Sequence, residues 1–325
     1  MVLKFTGSFT QQEAIPEKAI DAAIAVMRHG RLHRYNVAPG ETSETVLLEQ
    51  EFANLTGARY CLAVASGGYA LTAALRASGL KQNDIVLTNA FTLAPVPGAI
   101  QGAGGCPVFV EITKDLVLDL DDLKAKIEST NAKFLMLSHM RGHIVDMEAL
   151  LKITDEAGIK VIEDCAHTMG ANWNGITSGR SGIVGCYSTQ TFKHINSGEG
   201  GFLITDDVEI MAKATMLSGS YMLYESHLAG APIEAFENIR LDTPNCSGRM
   251  DNLRAAILRP QLENLSIQAN RWNKRYRKLE NGLNQVEDIR LISRPKKEYF
   301  VASSFQFCLP DFNEKQIKSL VLACE

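Results

Sequence analysis

The sequence predicts an α/β protein: a mostly parallel sheet with helices on both faces, followed by a smaller α+β unit. Three observations carry this prediction. Seven β-rich apolar runs recur between positions 58 and 207, and helix-period stretches separate several of them. The runs at 134–137 and 161–162 are apolar on consecutive positions, as strands buried on both faces require. With 325 residues, 46% hydrophobic and 22% charged, the chain can build a large packed core.

The elements are expected in the following order. Residues 1–57 form an N-terminal helical segment packing on the large domain, with helices at 16–28 and 43–55. Between those helices lies a loop rich in Arg, His, Asn and Gly. Residues 58–245 form the large domain. Its seven strands are expected at 59–66, 84–89, 107–112, 133–138, 160–164, 183–188 and 201–205. Helices are expected at 70–80, 121–129 and 147–157, and again after Asp207, before an irregular stretch at 218–245 with two prolines. Residues 246–325 form the small domain, with one long helix over about 250–283, a strand-like run at 304–309 and a helix beginning at Asn313. This last unit reads as incomplete.

Composition narrows the function classes. Lys+Arg is 33 and Asp+Glu is 37, a net charge of −4, so no basic excess offers a nucleic-acid footprint. The first 13 residues lack the layout of a secretion signal, and no apolar stretch is long enough to span a bilayer. A soluble, cytoplasmic protein is expected. The seven cysteines are scattered with no C-x-x-C, and most lie in apolar runs, where free Cys acts as a small core residue.

In an open parallel sheet, ligands bind beyond the carboxyl ends of the strands. Four strand ends draw attention. Ala65-Ser66-Gly67-Gly68-Tyr69 opens a helix, so its backbone N–H groups can cradle an anion; alone, it is equally a plain strand-to-helix turn. Val161-Ile162-Glu163-Asp164-Cys165-Ala166-His167 leaves a buried strand with a carboxylate that wants a cation, or merely a cap or an ion pair. The stretch 186–201 holds a single lysine, Lys193, among hydroxyls and before a Gly-Glu-Gly-Gly turn. A lysine desolvated there can attack a carbonyl, whereas most loop lysines are simply solvated. His139 and His143 suggest a metal, but no clear third ligand beyond Asp146 is near; no metal is expected, and a substrate contact or a structural role is favoured.

Taken together, an anion cradle, a carboxylate and a lysine on strand ends of one sheet match what pyridoxal 5'-phosphate requires. The phosphate suits the helix N-terminus, the carboxylate suits the pyridine nitrogen, and the lysine suits the aldehyde.

The run 161–167, together with Ser188, Lys193 and Gly198-Glu199-Gly200-Gly201, resembles the DegT–StrS family of pyridoxal-phosphate-dependent sugar aminotransferases. The resemblance implies the aspartate-aminotransferase-like fold (fold type I), with its seven-stranded, mostly parallel sheet. It implies that Lys193 is the Schiff-base lysine and Asp164 the partner of the pyridine nitrogen. His167 then lies near the cofactor's phenolic oxygen, where glutamine is usual. Ser188 meets the phosphate, and Gly67, Gly68 and Tyr69 form the phosphate turn. Arg249-Met250 matches a stretch whose asparagine, here Ser247, reaches the neighbouring subunit's phosphate, which implies a homodimer with shared active sites.

Besides His167, three departures accompany the match. Gly68 replaces a threonine, Ser247 replaces the asparagine, and Leu93 stands where an aromatic ring stacks on the cofactor unless Phe91 takes that place. The resemblance implies transfer of an amine from glutamate or glutamine to a keto-sugar, nucleotide-linked, or to a keto-cyclitol, in polysaccharide or antibiotic-sugar biosynthesis. His194, Arg249 and His143 are the candidate substrate contacts. Segments 31–40, with Arg31 and Arg34, and 218–245 are read as those that set substrate choice. Two alternatives stand beside this: a degenerate member that binds without turnover, and a sugar dehydratase, in which histidine replaces the lysine. Lys193 in register favours transamination.

Overall fold

The consecutive apolar runs become the strands of one central sheet. The computed structural model describes residues 7–8 and 11–324, so residues 1–6 and 9–10 of the expected N-terminal segment, and Glu325, lie outside the described residues. Helices α1 (Glu17–His29) and α2 (Glu44–Thr56) come first. The alternating core follows: β1 (Tyr60–Val64), α3 (Gly67–Ala77), β2 (Ile85–Asn89), α4 (Pro95–Gly102), β3 (Cys106–Val110), α5 (Leu120–Ser129), β4 (Phe134–Ser138), α6 (Met147–Glu156) and β5 (Lys160–Asp164). A hairpin of β6 (Asn172–Trp173) and β7 (Ile176–Thr177) precedes β8 (Val184–Ser188), β9 (Gly201–Thr205) and α7 (Val208–Ser218). Beyond lie α8 (Asn252–Glu263), α9 (Leu265–Leu283), β10 (Arg290–Leu291), β11 (Glu298–Tyr299), β12 (Phe307–Cys308) and α10 (Glu314–Cys324).

The seven-stranded sheet runs in the order β1-β9-β8-β5-β4-β2-β3. All pairings are parallel except those of β9, which is antiparallel to both β1 and β8. Every residue of β4, β8 and β9 is buried, which is why their sequences carry no polar alternation. Helices α3 and α7 cover one face through Ala74, Leu75 and Met211. On the other, Leu48 and Phe52 of α2 and Leu258 of α8 meet Phe202, whose ring stacks on Phe52 at 4.1 Å. Asp119, Asp146 and Asp207 cap α5, α6 and α7 by accepting backbone N–H bonds, so strand-to-helix junctions are fixed locally.

Three expectations are corrected here. The long helix over 250–283 is two helices, because Pro260 removes a backbone donor within α8 and the chain breaks at Asn264, whose side-chain amide donates to the Pro260 carbonyl at 2.9 Å. Cys61, Cys165 and Cys186 are buried, but Cys106, Cys246 and Cys324 are exposed, so only part of the cysteine set serves the core. Arg34, read as part of a segment that sets substrate choice, is not available to a ligand. It is fully buried and forks onto Glu49, with Nη1–Oε1 at 2.9 Å and Nη2–Oε2 at 2.8 Å. Glu49 also accepts from the Ala63 N–H at 2.7 Å, and His227 bridges the Arg34 guanidinium and the Tyr35 hydroxyl. The 31–40 loop is thereby fastened to β1 and α2. Among the described residues no helix is long and apolar enough to cross a membrane.

Candidate active site

Parallel strands aim their carboxyl ends at one edge, and the ends of β5 and β8 meet the start of α3 there. They enclose a cavity of about 570 Å³ lined by Ser66, Gly67, Gly68, Leu93, Asp164, His167, Ser188 and Lys193, with Met140, Gln190 and Glu199. This is the size of a small-molecule site. At its floor, Asp164 is buried where β5 ends. It accepts from the Ser138 hydroxyl at 2.9 Å and from the Ala166 N–H at 3.1 Å. Burial pushes its carboxyl above the ordinary value, while these donors, Lys193 and His139 pull it back.

Lys193 lies across the cavity, its Nζ 3.2 Å from His167 Nε2. Burial lowers its ammonium from the ordinary value, Asp164 works against that shift, and Arg141 adds to it. His167 is pushed down to about 3 by burial and by the charges of Lys193, His194 and Arg141. It is therefore neutral near pH 7, and its Nε2 accepts from the lysine.

The third wall is the start of α3. Ser66 caps the helix by accepting from the Tyr69 N–H at 3.0 Å, leaving a helix N-terminus open on the cavity side. Close approach requires Gly67: a Cβ there would stand 2.8 Å from Ser188 Cβ, whereas at Gly68 the nearest atoms are 4.0 Å away. Gly67→Ala is expected to cost about 1–3 kcal/mol by overpacking. Gly68→Ala should be neutral or stabilising, because it stiffens the unfolded chain without a clash. Urea denaturation of both variants checks the contrast.

Behind Asp164, Glu163 is fully buried and organises the 179–182 loop. It accepts from the N–H groups of Gly179, Ser181 and Gly182 at 2.7–2.9 Å and pairs with His139 Nε2 at 2.9 Å. His139, Glu163 and Cys165 place ligand-type atoms within 4.8 Å of one another, but the Glu163 oxygens are already engaged by these donors.

The other residues singled out from the sequence lie elsewhere. Tyr69 turns its ring onto Gly248 and donates its hydroxyl to the Leu217 carbonyl at 2.7 Å. Ser247 is exposed with a left-handed backbone (φ 50°), and Arg249 donates to the Gly219 carbonyl at 3.0 Å while lying over the Tyr221 ring. His143 meets Gln306 Oε1 at 3.0 Å, outside the cavity, and burial lowers it to about 4. His194 is buried beside Trp272, where burial again lowers it to about 4. Sequence reasoning assigned no role to Ser138, Met140, Gln190 or Glu199. Ser138 was findable as the polar end of an otherwise apolar strand, the same signal that marked Asp164.

Comparison with known proteins accords with this arrangement. The chain is 32% identical over 235 residues to the pleiotropic regulatory protein of Geobacillus stearothermophilus, covering 71% of this chain and 58% of the relative. It is 31% identical over 275 residues to the L-glutamine:2-deoxy-scyllo-inosose aminotransferase of Streptoalloteichus tenebrarius, covering 84% of this chain and 64% of the relative. The chain thus spans about three fifths of the length of these two relatives. Among solved structures, DesV of S. venezuelae superposes with a TM-score of 0.80 at 26% identity, over 94% of this chain and 77% of that one. For 3-amino-5-hydroxybenzoic acid synthase the TM-score is 0.82 at 25% identity, over 96% and 78%. The fold is the fold type I architecture of pyridoxal-phosphate aminotransferases. Over residues 14–321 the sequence matches the model of the DegT/DnrJ/EryC1/StrS aminotransferase family, and this chain belongs to that family.

Proposed function

We propose that this protein is a pyridoxal-phosphate-dependent aminotransferase that moves an amine from L-glutamine or L-glutamate to a keto-cyclitol or a nucleotide-linked keto-sugar. The observation that carries the reading is the meeting of Lys193, Asp164 and the α3 cradle on one cavity. The residues fit the cofactor. Asp164 is a buried carboxylate suited to a cation, and Gly67 lets the start of α3 approach Ser188, with which a Cβ would collide. Ser66, Gly67, Gly68 and Ser188 would hold the phosphate, Asp164 the ring nitrogen and His167 the phenolic oxygen, with Leu93 against the ring.

Bound there, pyridoxal phosphate supplies an aldehyde that condenses with amines and a ring that accepts electron density from the carbon losing its proton. The protein supplies the rest. Lys193 Nζ carries the proton, since its lowered affinity suits a group that must both take and return one. His167 Nε2 holds that amine in place. Ser138 and the Ala166 N–H favour the ionised form of Asp164 against the pull of burial. Over both half-reactions the donor's amino group becomes the acceptor's, the donor leaves as its 2-oxo acid, and one water is released and one consumed.

Glutamine as donor is supported by the name of the scyllo-inosose relative. The homodimer and cytoplasmic location expected from the sequence belong to the same proposal; exposed Ser247 and half-buried Arg249 stand on the segment that would serve the neighbouring subunit. So does the division into 1–57, 58–245 and 246–325.

One relative's name favours a second reading, a regulator that binds cofactor without turnover. A single experiment separates the two. Cofactor-loaded protein mixed with L-glutamine should lose the aldehyde absorbance, gain that of the amine form, and release one equivalent of the 2-oxo acid. Unchanged absorbance with both glutamine and glutamate favours the regulator.

A further inference from the structure

A second cavity, of about 360 Å³, lies where the small sheet of β6, β7 and β11 meets the loop that follows β3. Among the described residues, none that lines it also lines the Lys193 cavity. Two of its lining side chains are buried polar groups with atoms left bare. Trp173 is 4% exposed, and its indole Nε1 has no hydrogen-bond partner among the described residues. The Glu298 side chain is 1% exposed; its Oε1 accepts from Arg294 at 2.9 Å, but its Oε2 accepts from none of the described residues.

The two bare atoms are neighbours by construction. Strand β11 pairs antiparallel with β6, and Glu298 stands directly opposite Trp173, so both side chains leave the same face of the sheet. An orphaned donor and an orphaned acceptor thus stand side by side on one cavity. Buried polar groups are costly to leave unpaired, so each such atom calls for an explanation. A single bridging water needs on the order of 10–15 Å³ of such space. This cavity is many times larger.

The charges around it say what would fit. Burial pushes the Glu298 carboxyl above its ordinary value, while Arg294 and the Ile144 N–H pull it back. His143, on the same cavity, is held down to about 4 by burial and by Arg294, so it is neutral near pH 7 and does not repel a cation. Asp115 is engaged by Arg290, and Lys297 by Glu148. Lys296 is exposed. The buried end therefore offers one free carboxylate oxygen and one neutral N–H, with Val117, Ile144 and Pro295 as apolar surface beside them. A primary ammonium satisfies the carboxylate oxygen as a charged donor, and a hydroxyl on a neighbouring carbon satisfies the indole N–H as an acceptor. The apolar residues suit the carbons of a ring.

We propose that this cavity is a second ligand site, which binds a six-membered polyhydroxylated ring bearing a primary amine, with the ammonium on Glu298 and a hydroxyl on the Trp173 indole. The choice of ring rests on the aminotransferase reading, because transfer of an amine to a keto-cyclitol or keto-sugar yields a product of this kind. The site holds that product away from Lys193.

The test is titration calorimetry of 1-amino-1-deoxy-scyllo-inositol into the full, cofactor-free chain. Wild type should bind it, and scyllo-inositol, with a hydroxyl in place of the amine, should bind at least about tenfold more weakly. Glu298→Gln, which keeps the shape and removes the charge, should weaken binding of the amine at least about tenfold. Trp173→Phe, which removes the N–H, should weaken it about fivefold. Lys193→Ala should bind as wild type does. No binding by wild type leaves the cavity to water and overturns the proposal. Equal binding by wild type and Glu298→Gln, or binding lost in Lys193→Ala, places the amine elsewhere and also overturns it. The half-reaction of the cofactor-loaded chain with L-glutamine and L-glutamate separates this result from the aminotransferase reading. Binding through Glu298 with no half-reaction keeps the site and refutes that reading, and a half-reaction without binding does the reverse.

Discussion

On the proposed function, replacing Lys193 with alanine is expected to lower the transamination rate by about 10⁴-fold or more, because it would remove both the nucleophilic amine and the proton carrier at one stroke. The structure explains why no neighbour takes over. His167 is the nearest basic group, 3.2 Å from Nζ, but burial holds its ring near 3, so it is too weak a base near neutral pH. His194, next in sequence, is buried against Trp272 and does not line the cavity. Cofactor affinity should fall less than activity, since the cradle and Asp164 survive the change. Single-turnover kinetics with L-glutamine, with cofactor binding followed by absorbance, check both parts. Residual activity within tenfold of wild type contradicts the assignment of Lys193.

The largest expected effect on stability lies far from the cavity. Glu49→Ala should destabilise the fold by about 3–5 kcal/mol, the range for breaking a buried ion pair. It strands the fully buried Arg34 guanidinium and leaves the Ala63 N–H without its acceptor. The exposed pair of Lys18 and Glu263, 3.7 Å apart, is the control, and Lys18→Ala should leave stability unchanged within error. The network also fixes a pH response. Burial raises the Glu49 carboxyl, but Arg34 and His227 outweigh it and hold the group at about 2, so its stabilising effect is complete above the ordinary carboxylate range and fades as pH falls towards 2. His227 is lowered by burial and by Arg34, so below its ordinary value of 6.5 the unfolded chain binds a proton that the native state resists. Both terms have the same sign. Urea midpoints should fall as wild type is acidified below about 6.5, and the Glu49→Ala protein should lose the part of that fall that lies in the ordinary carboxylate range and below.

The sheet was legible from the sequence where burial alone dictates residue choice. Strands such as Phe134–Ser138 and Gly201–Thr205 are buried at every position and could be nothing but apolar runs. Helix α4 was not legible, because Pro95 and Pro97 argue against a helix in general but are harmless in a first turn, where the missing N–H has no partner to lose. The Asn172–Thr177 hairpin carried a clear Asn-Gly signal at 174–175, with φ of 49° and 83°, but its strands are two residues long and show no period.

The site divides along a similar line. Asp164, Ser188 and the glycines converge because each sits at a strand end or a helix start, where parallel topology dictates the meeting point, and Lys193 follows in the loop that leaves β8. Tyr69 departs because it stands two residues into α3, about half a helical turn past Gly67, which swings its ring away from the cavity. Arg34 was misjudged because its partner, Glu49, is 15 residues away in sequence and only the tertiary fold joins them.

The measurement that tests the account most directly is borohydride reduction of the protein saturated with pyridoxal phosphate, followed by peptide mass mapping. The account predicts one phosphopyridoxyl group per chain, on the peptide carrying Lys193, and none on the Lys193→Ala protein. Label found on a different lysine, or no label at saturating cofactor, would contradict it.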